Sequence, residues 1–189
     1  MGQRLNIEVH YDGELVANAY YHWSAYTSSS LNLLGKVIEA YRSRTEINKL
    51  KVAVEILQAT GAGINAEERQ NIAKDKTGRF NNISFQECES RNTGILSVTE
   101  QGMEETRKWE EGRVTVDIGI EEFTFDVMNI MDNADFEDCW ESDANQLPDT
   151  QIDLTESCKF SDFEKFRKAI VDNPVGVRVD DDTVLCWIE

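Results

Sequence analysis

Alternating apolar and polar positions open the chain and predict a β-hairpin. Residues 5–9 alternate, Asp12-Gly13 is a common turn pair, and the alternation resumes after it. A two-residue turn would pair Val9 with Val16 and place the two apolar rows on opposite faces. A three-residue loop with the glycine left-handed at a bulge would pair Val9 with Leu15 and bring both rows to one face. The three-residue loop is therefore the preferred prediction.

Apolar residues at helical spacing predict helices in the segments that follow. The segment after the serine caps at 28–30 and the segment 46–60 share one spacing of i, i+3, i+7 and i+10. A short helix capped by Asn65 is predicted at 66–73, and another at 100–109 that Gly112 would end. The apolar positions of the first two helices are Leu31, Leu34, Ile38 and Tyr41, then Ile47, Leu50, Val54 and Leu57.

The second half of the chain mixes strand and helix patterns without a regular βαβ rhythm. Strands are predicted at 94–98, 113–119 and 122–127, and a capping box at 161–164 begins a further helix before two closing strands. This order predicts an α+β fold. An N-terminal β-hairpin packed with two to three helices, residues 1–93, would precede a mixed antiparallel sheet with two helices, residues 94–189.

Charge separates the two halves more clearly than any motif. The chain of 189 residues has a net charge of −17, yet residues 1–94 hold 11 acidic and 11 basic side chains. Residues 95–189 hold 25 acidic and 8 basic side chains, and the stretch 114–158 has 13 carboxylates without any Lys, Arg or His. Such a chain is unsuited to neutralising phosphates, so direct nucleic-acid binding is not expected.

An array of carboxylates can instead imitate the phosphates of a nucleic acid. Carboxylates two apart on a strand, or three to four apart on a helix, have spacings comparable to neighbouring phosphates of one DNA strand. Aromatic residues in the same stretch could anchor such a surface against a protein partner. The predicted partner-binding residues are Asp117, Glu121, Glu122, Asp126, Asp132, Asp135, Phe136, Glu137, Asp138, Trp140, Glu141 and Asp143. The alternative is a solvated face that only aids solubility.

Motifs for catalysis, phosphate binding and metal binding do not occur in recognisable form. The two histidines, His10 and His22, belong to opposite ends of the predicted hairpin and match no nucleophile signature. No phosphate-binding glycine loop is present, and the calcium-loop register fails because Phe136 stands where glycine is needed. The protein is therefore predicted not to be an enzyme, with no cofactor and no metal site. A magnesium site among Asp117, Asp126 and Asp132 stays open as an alternative.

The aromatic residues of segment 20–26 form a second candidate surface. Alternation places Tyr21 and Trp23 on one face of the strand and Tyr20 and His22 on the other. A single hydrophobic core could bury only one of these two faces. A second packed layer would explain it. The alternative is a nucleotide-binding or enzymatic anti-defence protein that stacks a base on this segment, with Arg113 or Lys76 on a phosphate.

The segments 1–9 and 15–27 resemble the start of small acidic proteins from phages and mobile elements of Firmicutes. Some proteins of that group are anti-CRISPR proteins that act on the type II RNA-guided nuclease. The resemblance covers about the first 30 residues, with a weaker likeness over 94–112, and brings no catalytic motif. It implies an inhibitor in the cytoplasm of a host bacterium, which agrees with four widely spaced cysteines and the lack of a long apolar run.

The leading hypothesis combines the resemblance with the charge pattern. A nuclease of this type holds its heteroduplex in a positively charged channel, so an acidic protein has a target there. The predicted partner is the nuclease with its guide RNA, bound without catalysis by a DNA-mimicking face. A structural or regulatory protein of a mobile element is a further alternative, for which self-association would be expected.

Overall fold

A mixed β-sheet organises the part of the chain that the structure describes. The computed structural model describes residues 4–25, 27–108, 110–127, 151–153, 157–172, 177–180 and 183–187. The helices are α1 (Thr27–Ser43), α2 (Lys49–Gln58), α3 (Ala66–Lys74), α4 (Glu100–Arg107) and α5 (Phe163–Asp172). The strands are β1 (Leu5–Tyr11), β2 (Glu14–Tyr21), β3 (Ile95–Ser97), β4 (Gly112–Asp117), β5 (Glu122–Val127), β6 (Gln151–Asp153), β7 (Cys158–Lys159), β8 (Val177–Asp180) and β9 (Thr183–Trp187).

Strands from both halves of the chain form one sheet in the order β3-β2-β1-β4-β5-β7. β1 pairs in parallel with β4, from Leu5 opposite Gly112 to His10 opposite Asp117, and the other pairings are antiparallel. Strands β6, β9 and β8 form a separate antiparallel sheet. Helices together with a mixed sheet and an N-terminal hairpin confirm the α+β prediction. The sheet crosses the boundary that the sequence suggested near residue 93, because β1 and β2 pair with β4 and β3.

The hairpin turn differs from the preferred prediction. Asp12 and Gly13 form a two-residue turn, and both have positive φ, 51° and 82°, as a type I′ turn requires. Val9 pairs with Ala17, and His10 pairs with Leu15, so Val16 is an extra residue in a β-bulge. The predicted three-residue loop is wrong. The bulge nevertheless brings both apolar rows to one face.

The apolar face of the sheet is covered by helices from both halves of the chain. Tyr41 of α1 donates a hydrogen bond to the carbonyl oxygen of Ile118 at 3.0 Å, and the hydroxyl group of Tyr21 contacts that of Thr60 after α2. Phe166 of α5 makes edge-to-face contacts with Phe123 and Phe125 of β5. This face and its helices form the hydrophobic core.

Two helix boundaries differ from those expected. The periodicity suggested that α2 would begin at residue 46, but Asn48 caps its N-terminus by accepting bonds from the N–H groups of Leu50 and Lys51. Ile47 consequently lies outside the helix and is 94% exposed. Helix α4 ends at Arg107, and Gly112 begins β4, where it packs against Ala25; the prediction that Gly112 ends the helix is wrong.

Candidate functional site

Two of the predicted carboxylates lie on the sheet face opposite the core. Asp126 is exposed on β5, and Glu122 is half-buried on the same strand, where its carboxylate accepts a hydrogen bond from the Ser157 hydroxyl group. β5 is paired with β4 along its whole length, which fixes the spacing of these carboxylates. The two residues are four positions apart on the strand, a distance of about 13 Å. They therefore belong to one rigid surface.

Glu121 lies in the turn between β4 and β5 and is exposed. Its backbone is left-handed, with φ of 57°, and its carboxylate lies 3.1 Å from the hydroxyl oxygen of Tyr41. This contact ties the turn to α1 and directs the carboxylate toward the helical side. The remaining predicted partner-binding residues lie outside the described part of the chain. These are Asp132, Asp135, Phe136, Glu137, Asp138, Trp140, Glu141 and Asp143.

Asp117, unlike the other predicted carboxylates that the structure describes, lies in a buried environment. Only 8% of the residue is exposed, and its carboxylate accepts backbone hydrogen bonds from Asp12, Gly13 and Gly119 at 2.7–3.0 Å. Burial would raise the pKa of Asp117, but these N–H groups together lower it. The oxygens are occupied inside the protein, which leaves Asp117 a structural role between two turns.

The distance between Asp117 and Asp126 is too long for a magnesium site shared by these two residues, and Asp132, the third candidate ligand, lies outside the described residues. Asp126 pairs with Arg113, four residues before Asp117 on β4, so their carboxylates are about 13 Å apart. Two ligands of one cation lie far closer than this. Within the described residues, no group of three or more His, Cys, Asp or Glu side chains could hold a metal ion.

The sheet face opposite the core also carries a buried ionic cluster that the sequence did not reveal. Glu8 of β1 is 2% exposed, and one of its oxygens lies 2.6 Å from Nε of Arg107 on α4. Nε of Arg113 on β4 lies 3.7 Å from the same oxygen, and the other oxygen lies 2.9 Å from Nε2 of His10. Burial would raise the pKa of Glu8, but His10 and the two guanidinium groups lower it. Glu8 is thus a buried carboxylate with three cationic or protonatable neighbours.

The contacts of His10 favour its protonated form. Nε2 faces the Glu8 carboxylate, and Nδ1 lies 3.2 Å from the carbonyl oxygen of Gly13. Both partners accept hydrogen bonds, so both ring nitrogens carry protons when both bonds form. The hydrogen bond to Glu8 is the main cause that raises the pKa of His10. A ring engaged at both nitrogens is unsuited to act as a general base.

Helix α4 covers this cluster through polar contacts. Asn18 of β2 donates hydrogen bonds to the carbonyl oxygen of Met103 at 3.4 Å and to the hydroxyl group of Thr106 at 3.0 Å. Arg113 also contacts Glu110, whose other oxygen accepts a hydrogen bond from Asn6 at 3.2 Å. Two carboxylates therefore engage Arg113, and its predicted use on a phosphate would require breaking these contacts.

The aromatic segment 20–26 is divided between the core and the surface. Tyr21 is 1% exposed, and burial raises the pKa of its phenol, so it belongs to the core as a packed layer would predict. Trp23 is 47% exposed, and its ring stands edge-to-face against His22 with centroids 5.1 Å apart. Tyr26 lies outside the described residues. The sequence singled out this segment, but could not show which rings reach solvent.

Comparisons with known protein families, with curated proteins and with solved structures find no match to this chain. Among the described helices, no span has the length and apolar composition needed to cross a membrane.

Proposed function

We propose that this protein is a non-enzymatic inhibitor that binds a type II RNA-guided nuclease carrying its guide RNA. The observation that carries the proposal is the stretch 114–158, in which 13 carboxylates occur without a basic side chain. These carboxylates would face the Lys and Arg residues that otherwise hold DNA in the channel of the nuclease. The resemblance of the first residues to phage anti-CRISPR proteins selects this nuclease among the proteins with basic grooves.

The fold supports the proposal by holding part of this surface rigidly. Glu122 and Asp126 share one face of a strand that is paired along its length with β4. A surface that keeps its carboxylates at fixed spacing loses less conformational entropy on binding than a free chain does. Asp117 is left out of the proposed surface, because its carboxylate is buried and hydrogen-bonded within the fold.

Binding of the purified nuclease–guide RNA complex across a salt series tests this proposal. Attraction between opposite charges is screened by salt, so we expect the affinity to fall by about tenfold or more between low and high salt. Neutralising Asp132, Asp135, Glu137 and Asp138 together should weaken binding and flatten the salt dependence. An affinity that salt does not change, or that survives these four substitutions, contradicts the proposal.

A matched variant separates a local surface from the overall charge. Glu39, Glu55, Glu67 and Glu104 are exposed on the described helices, and changing them to Gln removes the same number of charges. We expect this control variant to keep most of the affinity. Equal losses in both variants would show that net charge alone, and no particular surface, governs binding.

A further inference from the structure

Ile47 is an isoleucine that the fold holds in solvent just before α2. It is 94% exposed, the largest fraction among the exposed large apolar side chains that the structure describes. Its backbone is nevertheless fixed, because the Glu46 carboxylate accepts hydrogen bonds from the N–H groups of Ile47 and Asn48 at 2.9 and 3.1 Å. A single exposed isoleucine is common on protein surfaces, so its meaning depends on what lies beside it.

A cavity of about 520 Å³ opens beside this isoleucine, between α2 and the segment 82–86. Thr45 and Glu46, the two residues before Ile47, line its nearer edge, whereas Ile47 itself is not part of the lining. The apolar part of the lining is formed by Val54, Ala59 and Ile83. Cavities of this size hold small organic groups, so the cavity has room for the side chain of an isoleucine. Ile47 therefore stands next to an apolar cavity that it does not fill.

The walls of the cavity are held together by the side chain of Gln58. Its amide nitrogen donates to the carbonyl oxygen of Ser84 at 3.3 Å, and its amide oxygen accepts from the N–H of Gln86 at 2.6 Å. At the nearer edge, Nζ of Lys51 lies 3.5 Å from the Glu46 carboxylate. The cavity and the loop before α2 are thus both formed within a single chain, which reduces the entropy lost when a partner binds.

We propose that Ile47 of one copy of this protein inserts into the cavity of a second copy, which returns the same contact. A two-fold symmetric interface needs a surface that is complementary to itself. Here a projecting isoleucine and a cavity lie side by side, so rotation of a second copy by 180° places each isoleucine opposite the cavity of the other copy.

The charge around this surface favours a second copy as the occupant. Residues 44–59 hold three basic and two acidic side chains, whereas the whole chain has a net charge of −17. α2 contributes to the core on the helical side of the sheet, while Glu122 and Asp126 lie on the opposite face. Two copies therefore meet through a nearly neutral surface and keep these carboxylates apart. The interface is separate from the proposed nuclease-binding surface and does not depend on it.

Analytical ultracentrifugation of the full chain from about 10 μM to about 1 mM tests the interface. We expect a monomer–dimer equilibrium with a Kd on the order of 100 μM, because one isoleucine from each copy supplies the main apolar contact. Salt screens the repulsion between two acidic copies, so the dimer should become tighter as NaCl rises from about 20 to about 300 mM. Binding to the nuclease should weaken over the same series, which distinguishes the two proposals.

Two variants remove opposite halves of the contact. Ile47→Ser removes the projecting side chain, and Ala59→Phe, at a position that is exposed in the single chain, fills the cavity. Each variant should weaken the dimer by about tenfold or more. An equimolar mixture of the two should associate more tightly than either alone, because the intact isoleucine of one variant enters the intact cavity of the other.

Ile120→Ser provides the matched control, because Ile120 is a second isoleucine, 56% exposed, in the turn between β4 and β5. This variant should dimerise like the native protein. A native protein that stays monomeric at about 1 mM would overturn the proposal. So would a dimer that Ile47→Ser leaves unchanged, or a mixture of Ile47→Ser and Ala59→Phe that associates no better than each variant alone.

Discussion

Asp117, the last residue of β4, accepts a hydrogen bond from the backbone N–H of Gly13 at 2.7 Å, although 104 positions separate the two residues along the chain. The second oxygen accepts from the N–H groups of Asp12 and Gly119 at 3.0 and 2.8 Å. A single carboxylate thus joins the β1–β2 turn to the β4–β5 turn. In the type I′ turn the N–H groups of Asp12 and Gly13 point away from their own hairpin, and the Asp117 carboxylate accepts their hydrogen bonds.

Replacing this carboxylate should weaken the fold. In Asp117→Asn an amide group replaces one acceptor oxygen and faces backbone N–H groups that need an acceptor, so we expect a loss of about 2 kcal/mol in the free energy of unfolding. Urea denaturation measures this loss. Asp126→Asn, an exposed change on the same sheet face, should stay within about 0.5 kcal/mol of the native protein. A similar stability for both variants would contradict the role of Asp117.

The stability of the protein at low pH should depend on the same carboxylate. Because the pKa of folded Asp117 lies below its ordinary value of 3.8, its contribution is present above that value and is lost as the pH falls through the folded pKa. The free energy of unfolding should therefore decrease below about pH 4, and less steeply in Asp117→Asn than in the native protein. Equal slopes in the two proteins would show that other carboxylates account for the acid sensitivity.

His10 should make stability decrease at alkaline pH. Its pKa is raised by Glu8, so the ionic contact is fully present below the unfolded value of about 6.5 and is lost as the pH rises through the folded pKa. The groups that face this ring are Glu8 on β1 and Asp117 on β4, while Arg107 and Arg113 share the Glu8 carboxylate. We expect a loss on the order of 1 kcal/mol above neutrality.

Replacing His10 isolates this effect. Urea midpoints measured from about pH 6 to pH 9 should fall with pH in the native protein and remain nearly flat in His10→Gln. A native slope in His10→Gln would exclude His10 as its source.

Glu68 should be required for the start of α4. Its carboxylate, 2% exposed, accepts hydrogen bonds from the N–H groups of Val98 and Thr99 at 2.6 and 2.7 Å and from the Thr99 hydroxyl group at 2.7 Å. Glu68→Ala leaves these donors without an acceptor, and we expect a loss of about 3 kcal/mol in the free energy of unfolding. A Cβ on Gly102 would collide with the same carboxylate, so the close approach also needs glycine there.

The exposed neighbour Glu67 provides the control for this prediction. Glu67→Ala should cost no more than about 0.5 kcal/mol in urea denaturation. Hydrogen exchange at the amides of Val98 and Thr99 should accelerate in Glu68→Ala and remain slow in Glu67→Ala. If both variants have native stability and native exchange, the carboxylate does not hold the helix start.

Local patterns predicted the elements of this fold well. The buried side chains of α1 follow the expected spacing from Leu31 to Tyr41, and Asn65 caps α3 by accepting from the N–H of Glu68 at 2.8 Å. The register of the hairpin could not be predicted from the sequence, because no sequence feature marks the bulge at Val16. Apolar spacing also predicts that Ile47 belongs to α2, because the spacing does not take account of the N-cap at Asn48.

The candidate sites depended on contacts between distant segments, which periodicity does not report. Glu8 occupies a polar position of an alternating strand, the kind of position that usually faces solvent, yet α4 covers it with Arg107. Charge and spacing alone place Asp117 with the surface carboxylates, because its bonds to the first turn join residues more than a hundred positions apart. The aromatic segment was recognised, but only its surroundings separate the buried Tyr21 from the exposed Trp23.

Because β1 lies between β2 and β4 in the sheet, its two neighbours become available at different times during synthesis. One neighbour, β2, follows β1 directly, whereas the other, β4, begins at Gly112. While the ribosome adds the residues between them, the free edge of β1 presents unpaired N–H and C=O groups, the kind of edge that recruits foreign strands. Synthesis of β4 supplies the strand that closes this edge, so β1 is open to pairing with a foreign strand only until β4 has emerged.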